Sequence, residues 1–421
     1  MRRKVNHQKL EHVCMCLRKM QRSFGGSYAQ DIMSEMKHEE LLSVCNQTKP
    51  VTFEAALRNY TLERKLGEAT FSEVFSFTNE SNFRLAVKLM PFGAPKDKYL
   101  VNGSPQISVH EVTQEVLITK TMSDFRNHGS TGEDAAGFNF VELVSVHVCQ
   151  GFYPQELLAA WDDYAQDKDS ENDRPDYFPK KQLYAVIVLM NGGTDLEHFK
   201  IKPVATAANV LTPLKKSFGV NTKASSAATN KTWAMVRSIL TQTILSLAAA
   251  ERKLKFEHRD LHWGNVLCMA GPQYLYAKTS YFCGEDLGSI QVPLEGVKVT
   301  IIDYTLSRCE HGDRLYFNKM DDESFFTGEG DYQFDIYRMM REETDGAWDA
   351  FFPKTNLMWI GYLLYKLLKA KSLPHAGSVA KQSRLALAAF RERINGYSDM
   401  SALVRVEVAL SGGDATKLFF S

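Results

Sequence analysis

The chain has 421 residues, enough for two or three ordinary domains or for one two-lobed enzyme. Its 50 basic and 50 acidic residues cancel, so no global field attracts it to nucleic acid or to a membrane surface. Its seven cysteines include no pair with zinc-type spacing, which indicates free thiols rather than a disulfide framework or a metal site.

The first element predicted in the chain is a basic helical extension over residues 1–50. It has no uninterrupted apolar core, so it is not a secretory signal. Its basic start, "MRRK", is interpreted as a solvated helix face, with a nuclear address or a phosphate-binding arm as alternatives. No run of about 18 apolar residues occurs anywhere in the chain, so no transmembrane span is predicted.

The order of the following elements predicts the fold class. Short β-branched segments, Arg84–Met90 and Gln182–Met190, are typical of strands. Apolar residues at helical spacing predict a long core helix over Trp233–Leu254. "VKVTII" (Val297–Ile302) reads as a buried strand, and helical spacing prevails further on. We therefore expect an α+β protein with a small β-rich lobe and a larger helical lobe.

Two stretches are expected to interrupt these lobes. Residues 162–176 form an acidic insertion or linker, and residues 203–231 are rich in Ala, Ser and Thr and are predicted to be a mobile loop. The predicted domains are then the small lobe over residues 51–191 and the larger lobe over residues 192–421.

A set of charged and amide side chains has the order that phosphoryl transfer needs. In "FEHRDLHWGNVL", Asp260 stands five residues before Asn265, and Asp303 ends a predicted strand further on. Upstream, Lys88 lies in an apolar strand, where an ammonium needs a partner, and Glu115 on a predicted helix can supply one. Phosphoryl transfer requires positioning and charge neutralisation rather than covalent chemistry by the protein. The residues therefore predict a site for phosphates, Mg²⁺ and a hydroxyl acceptor.

These motifs resemble a known family. "HRDLHWGN" resembles the catalytic loop of the protein-kinase superfamily, and "IIDYTLSR" stands where that superfamily usually carries Asp-Phe-Gly. Asp-Tyr-Thr at this point resembles the haspin family of atypical Ser/Thr kinases, as do "ENDRPDYF", "GGTDLE", "FFTGEGDYQFDIYRMM" and "NLMWIGYLLYKLL". "DLHWGN" is also similar to a motif of phosphotransferases that act on choline or aminoglycosides, which keeps that class as an alternative.

The resemblance implies a role for each matching position, with ATP and Mg²⁺ as cofactors. Lys88 would bind the phosphates with Glu115 as its ion-pair partner, and Asp260 would be the catalytic base. Asn265 and Asp303 would bind Mg²⁺. The other implied ATP contacts come from the phosphate loop, the hinge and the ribose site: Gly67, Val74, Ala86, Leu189, Met190, Gly192 and Asp195.

The resemblance also implies a substrate, the basic N-terminal tail of histone H3 with its third residue, a threonine, as the target. Glu197, His262 and Asp322 would bind this tail, and Ser324 stands where the family has a second acid. We expect a monomer that acts in the nucleus, on chromosomes, or in the cytoplasm. Direct reading of nucleic acid and binding to a membrane are not expected.

The phosphate loop departs from the family pattern. It keeps Gly67, but Ala69 and Ser72 stand at the positions of the second and third glycines. If these positions need positive φ, each substitution costs about 1 kcal/mol, which predicts weaker ATP binding rather than its loss. A pseudokinase, which keeps the fold without turnover, is therefore a second alternative. Thr305 replaces the glycine of Asp-Phe-Gly and predicts a segment that does not flip.

Overall fold

The computed structural model describes residues 38–93, 99–127, 138–168, 170–204, 222–284 and 286–420, and of residues 222–225 only the backbone. The described residues belong to two units, the first within Met1–Thr113 and Ser145–Val188 and the second within Gln114–Val144 and Leu189–Ser421. A β-rich first part and a largely helical second part confirm the predicted α+β class.

The first unit is built on a five-stranded sheet with the strand order β1-β2-β3-β5-β4. The strands are Tyr60–Ala69 (β1), Ser72–Asn79 (β2), Arg84–Phe92 (β3), Leu143–Gln150 (β4) and Leu183–Met190 (β5). The first three pair in antiparallel fashion. Along β3, Leu85, Val87 and Leu89 are fully buried, whereas Ala86 and Lys88 are half-buried. This alternation of period two gives the sheet one core face and one more open face.

The first unit contains the helices Phe53–Leu57 (α1) and Gln155–Lys168 (α3), while the helix Val109–Arg126 (α2) has its first residues in this unit and the rest in the second unit. Helix α3 includes residues 162–168 of the predicted acidic insertion, which are therefore helical rather than a linker. Its buried residues, Leu157, Leu158 and Trp161, precede the acidic stretch in sequence, so composition alone did not indicate the helix.

The described residues of the second unit form three small sheets. One has the strand order β10-β7-β6, and the others are two-stranded hairpins. The strands are Thr194–Asp195 (β6), Val266–Ala270 (β7), Lys278–Phe282 (β8), Ser289–Pro293 (β9), Val297–Ile301 (β10), Arg308–His311 (β11) and Arg314–Phe317 (β12).

Helices supply most of the regular secondary structure among the described residues of the second unit. They are Thr222–Leu254 (α4), Ser324–Thr327 (α5), Tyr332–Thr344 (α6), Lys354–Lys369 (α7), Ser378–Ile394 (α8) and Met400–Leu410 (α9). Asp331 precedes α6, and its side chain accepts a hydrogen bond from the amide of Gln333 at 3.0 Å. Such a cap satisfies an amide that the helix itself leaves unbonded.

Helix α4 is the core helix of the second unit. Trp233, Val236 and Ile244 on it are fully buried. The part Ser226–Leu254 is long and apolar enough to cross a membrane, yet 89% of its most apolar window is buried inside the protein. A helix that is apolar and covered in this way fits the interior of a large unit.

The start of α4 corrects one prediction. Residues 222–231 are helical, so the predicted loop over residues 203–231 is wrong there, and residues 205–221 lie outside the described residues. Alanine favours helix strongly and continues the helix that the core anchors.

Of the predicted N-terminal extension, residues 1–37 also lie outside the described residues, and residues 38–44 are helical. The cysteines in the described part of the chain are free thiols, as expected: Cys45, Cys149, Cys268, Cys283 and Cys309.

Candidate active site

The carboxylate of Asp260 accepts a hydrogen bond from a side chain on a helix that is distant in the sequence. Tyr337 on α6 donates its hydroxyl proton to Asp260 Oδ1 at 2.5 Å. Burial raises the pKa of Tyr337 far above its usual range, so the hydroxyl stays protonated and remains a donor. The Asp260 side chain keeps 19% of its surface exposed. One carboxylate oxygen is thus fixed while the group remains accessible.

His262 lies beside Asp260, with its Nε2 atom 4.0 Å from Asp260 Oδ2. Its Nδ1 atom accepts a hydrogen bond from the amide of Gly264 at 3.0 Å, and its Nε2 atom lies 3.3 Å from the side-chain nitrogen of Asn265. A Cβ at position 264 would lie 2.6 Å from His262 Cε1, so glycine permits this ring position. The ring is held within the loop and presents its Nε2 side toward the base.

Asn265 and Asp303 lie at adjoining ends of two paired strands. Strands β7 and β10 are antiparallel, and the amide of Ile302 donates to the carbonyl oxygen of Asn265 at 3.1 Å. The side-chain nitrogen of Asn265 donates to the carbonyl oxygen of Asp260 at 2.8 Å, so its amide oxygen is the atom suited to a cation. One amide oxygen and one carboxylate are ligands that Mg²⁺ accepts, so this donor set fits that ion.

The segment that follows Asp303 is tied to the end of β10. Asp303 has a left-handed φ of 63°. The Thr305 hydroxyl lies 2.6 Å from Asp303 Oδ1 and 3.0 Å from Glu115 Oε2, and the Thr305 amide donates to the same Asp303 oxygen at 3.2 Å. Glu115 on α2 is only 3% exposed. Thr305 therefore links the predicted metal ligand to the buried glutamate.

His258 joins the catalytic loop to β10. Its Nδ1 atom accepts from the amide of Asp260 at 3.3 Å, and its Nε2 atom donates to the carbonyl oxygen of Ile302 at 3.0 Å. Burial lowers the pKa of His258 to about 4, so the ring is neutral at neutral pH and makes both bonds in one tautomer. The ring fixes the backbone on both sides of the site.

Arg259, the residue before the base, has its guanidinium engaged inside the fold. It is fully buried and forms an ion pair with Glu257 at 3.0 Å. It also donates to the carbonyl oxygens of Trp348 at 2.7 Å and Ala350 at 3.3 Å. The guanidinium is therefore not positioned to bind a group from outside the fold.

The predicted phosphate-binding positions of the first unit lie together on the open face of its sheet. Gly67 is opposite Val74, and Val74 is opposite Lys88, while Ala86 lies two residues before Lys88 on the same face. No heavy atom lies within 4 Å of a Cβ built at Gly67, and its φ is not positive. The fold does not itself require this glycine, so the open space beside it suits close approach of a ligand such as a nucleotide phosphate.

The residues at the positions of the second and third glycines carry no backbone strain. Neither Ala69 nor Ser72 has a positive φ. The condition under which these residues would weaken ATP binding is therefore not met in this structure.

The predicted hinge residues lie at the end of β5 and just after it. The amide of Met190 donates to the carbonyl oxygen of Glu142 at 3.0 Å, and Leu189 packs against the core of the second unit. A Cβ at Gly192 would lie 2.8 Å from the Thr300 Cβ. Packing on β10 thus explains this glycine without a ligand.

The predicted ribose and substrate residues near β6 form a short turn. Asp195 Oδ1 accepts from the amide of His198 at 2.9 Å and lies 2.8 Å from its Nδ1 atom. Lys371 donates to the carbonyl oxygen of Glu197 at 2.7 Å, which leaves the exposed Glu197 carboxylate outside that bond. The turn is fixed by hydrogen bonds within it and by the bond from Lys371.

The predicted substrate acid Asp322 is exposed and ionised. A hydrogen bond from the amide of Ser324, 2.8 Å long, lowers the pKa of Asp322. The next residue, Glu323, forms an ion pair with Arg341 at 2.9 Å. Asp322 is therefore the less neutralised of these two neighbouring carboxylates.

The structure groups the predicted site residues within each unit. In the second unit, hydrogen bonds connect Asn265 to Asp260 and to His262, and Ile302, the residue before Asp303, also bonds to Asn265. Thr305 joins Asp303 to Glu115. The predicted ion pair between Lys88 and Glu115 joins different units and stays a prediction. No local sequence pattern points to Tyr337, which is 77 residues from its partner Asp260.

Comparison with known proteins indicates the same family as the sequence motifs. The family described as "Haspin like kinase domain" matches residues 21–224 and 221–408. The chain is 39% identical to Serine/threonine-protein kinase haspin of Mus musculus over 87% of this chain and 44% of that protein. It is 34% identical to the haspin homolog of Drosophila melanogaster, over 79% of this chain and 54% of that protein. The chain spans about half the length of these relatives. It belongs to the haspin-like kinase family.

Proposed function

We propose that this protein is an ATP- and Mg²⁺-dependent serine/threonine protein kinase of haspin type, and that it phosphorylates a threonine near the N-terminus of histone H3. The observation that carries the proposal is the group formed by Asp260, Asn265 and Asp303, with one oxygen of the base fixed by Tyr337. Phosphoryl transfer requires from a protein mainly charged groups in fixed positions and little covalent chemistry.

Each side chain has a defined part in the proposed reaction. Asp260 orients the acceptor hydroxyl and takes its proton at Oδ2, because Oδ1 already accepts from Tyr337. Asn265 and Asp303 hold Mg²⁺, and Lys88 binds phosphate oxygens. Bound Mg²⁺-ATP supplies the phosphoryl group and neutralises the charge that develops on it.

Local charge supports the basic tail that the family resemblance implies as the substrate. The protein has no net charge, so a basic tail is selected by carboxylates near the base rather than by a global field. Asp322 and Glu197 are exposed, and His262 lies beside Asp260. Opposite charge favours encounter and register of a cationic peptide. Within this proposal the protein acts as a monomer in the nucleus or cytoplasm, without reading nucleic acid or binding a membrane.

The names of the relatives support the choice of acceptor. The proteins from Mus musculus and Drosophila melanogaster are named as serine/threonine-protein kinases, which favours a protein hydroxyl over a small alcohol. Ala69 and Ser72 do not have positive φ values, which favours an active kinase over a pseudokinase.

The test is transfer of labelled γ-phosphate from ATP to a panel of acceptors. The panel contains a histone H3 tail peptide, the same peptide with alanine for its target threonine, an acidic threonine peptide, choline and an aminoglycoside. We expect transfer to the tail peptide at a rate on the order of tenfold above the acidic peptide, and none to the alanine peptide or after chelation of Mg²⁺.

Three other outcomes would contradict the proposal in different ways. Equal rates on the two threonine peptides would leave a kinase without the proposed substrate. Transfer to choline or the aminoglycoside alone would indicate a small-molecule phosphotransferase. Nucleotide binding without transfer to any acceptor would indicate a pseudokinase.

A further inference from the structure

The turn between β1 and β2 begins beside a fully buried lysine. The side chain of Lys65 has no exposed surface, and its Nζ atom lies 2.5 Å from Glu68 Oε2 and 2.8 Å from Glu73 Oε2. It also lies 4.1 Å from the ring centre of Tyr164 on α3. A buried ammonium is stable only with such partners. Lys65 therefore ties both strands and α3 together next to Gly67.

Glu68 extends this network to a segment more than one hundred positions later in the chain. Its Oε2 atom accepts from the hydroxyl of Ser170 at 2.6 Å, and its Oε1 atom accepts from the amide of Glu171 at 2.8 Å. Burial opposes the charged form of Glu68, but the bonds from Lys65 and these two groups outweigh it and lower the pKa. Glu68 thus remains a carboxylate and joins β1 to this segment.

Asn172 binds the turn from the same segment. Its side-chain nitrogen donates to the carbonyl oxygen of Ala69 at 3.1 Å and to Glu73 Oε1 at 2.9 Å. Asn102 makes a parallel pair of bonds: its nitrogen donates to the carbonyl oxygen of Thr70 at 2.8 Å, and its oxygen accepts from the amide of Asp173 at 2.8 Å. Two successive carbonyl groups of the turn are therefore bonded to side-chain amides.

These bonds set the direction of the peptide groups in the turn. In a trans peptide the N–H points opposite to the C=O. Because the carbonyl groups of Ala69 and Thr70 face Asn172 and Asn102, the amides of Thr70 and Phe71 point away from these side chains. Successive backbone amides that point outward are the groups that bind phosphate oxygens in proteins.

We propose that Glu68, Asn102 and Asn172 are positioning residues that hold the β1–β2 turn in its nucleotide-binding conformation. Glycines in such a turn let the backbone adapt around the phosphates, and Ala69 and Ser72 lack this conformational freedom. The three side chains instead hold the turn in one conformation. A turn that is already ordered loses less entropy when the nucleotide binds. This inference rests on the proposed function, because it assumes that the turn binds a nucleotide.

The test compares the wild-type protein with Asn172→Ala and Glu68→Gln. Glu171→Ala is the matched control, because Glu171 contributes its amide to the network while its side chain is exposed. Three quantities are measured: hydrogen exchange of the β1–β2 amides without nucleotide, ATP affinity by calorimetry, and KM and kcat for ATP and for peptide.

We expect faster amide exchange in β1–β2 for both test variants. We also expect a KM for ATP that rises on the order of tenfold, as the loss of one or two hydrogen bonds implies. Values of kcat and of KM for peptide should stay within about twofold of wild type, since these residues do not act on the acceptor. The control should match wild type in all three measurements.

The outcomes separate the two proposals. Wild-type exchange and ATP affinity in Asn172→Ala and Glu68→Gln would overturn the positioning role and leave the kinase proposal standing. A fall in kcat with an unchanged KM for ATP would overturn it too, because that result indicates a smaller folded fraction. Absence of ATP binding by the wild-type protein would overturn the proposed function and this inference with it.

Discussion

Tyr337 donates its hydroxyl proton to Oδ1 of Asp260 across 2.5 Å, and this bond connects α6 to the loop before β7. An aspartate that accepts a proton works best when one oxygen is fixed and the other faces the acceptor. In Asp260 the bond from Tyr337 fixes Oδ1, and Oδ2 is the oxygen on the side of His262.

Replacement of Tyr337 by Phe removes this donor and keeps the ring. We expect kcat to fall on the order of tenfold and the acid limb of the pH–rate profile to move to higher pH, because the carboxylate loses a hydrogen bond that favours its charged form. Tyr332→Phe on the same helix is the control, since the Tyr332 ring stacks on Tyr362. Superimposable pH–rate profiles for wild type and Tyr337→Phe would show that the bond does not act on the base.

Activity is expected without phosphorylation of the segment after Asp303. The Arg259 guanidinium is buried and bound to Glu257 and to two carbonyl oxygens, so it is not accessible to a phosphate. The Thr305 hydroxyl and amide hold the start of the segment in place. Protein made in bacteria and treated with phosphatase should keep its rate on peptide within about twofold. A tenfold drop after treatment would contradict this expectation.

Asp322→Ala should weaken the use of a basic peptide without weakening nucleotide binding. We expect kcat/KM for the tail peptide to fall by about three- to tenfold, because the variant loses an exposed carboxylate that attracts a cationic peptide. Glu323→Ala is the matched control, and its effect should be smaller since Glu323 is paired with Arg341. Calorimetry with ATP should give wild-type affinity for both. A larger loss for Glu323→Ala than for Asp322→Ala would reverse the assignment.

The ionisation of Glu251 is expected to make the free energy of unfolding depend on pH. Burial raises the pKa of this carboxyl group to about 8, while both its oxygens accept hydrogen bonds, from Asn356 and from the amide of Met400. The folded protein then holds a proton that the unfolded chain releases above its ordinary pKa of 4.5. The stabilisation from this group is full below that value and is lost as pH rises toward 8.

The measurement is the free energy of unfolding by urea at pH 5, 6, 7 and 8 for wild type and Glu251→Gln. Relative to the variant, the wild-type protein should lose about 1.4 kcal/mol of stability per pH unit over this range. Parallel pH dependences for the two proteins would mean that Glu251 is ionised in the folded state.

The residues of the catalytic loop were predictable because their spacing is local. Asp260 and Asn265 are five residues apart, and Asp303 follows directly from a strand that the apolar pattern revealed. Tyr337 was not predictable in this way, since its contact with Asp260 exists only through the tertiary fold. The same holds for Asn172, whose bond to the Ala69 carbonyl spans 103 positions.

The fold class was predictable from the order of strands and helices, but the grouping of residues 114–127 and 138–144 was not. In the structure they belong to the second unit. Asn139 there bonds to Gln242 on α4, and Phe140 pairs with Ile301 of β10. Such long-range contacts leave no periodic pattern in the local sequence.

Phosphate transfer by Asp260→Asn and Asp303→Asn tests the assignment of the site most directly. Both variants keep an oxygen for their partners, Tyr337 and Thr305, so the fold should persist. With tail peptide and Mg²⁺-ATP we predict that kcat falls on the order of 10² or more in each, because a base or a metal ligand is lost. Near wild-type rates in both variants would contradict the site proposed here.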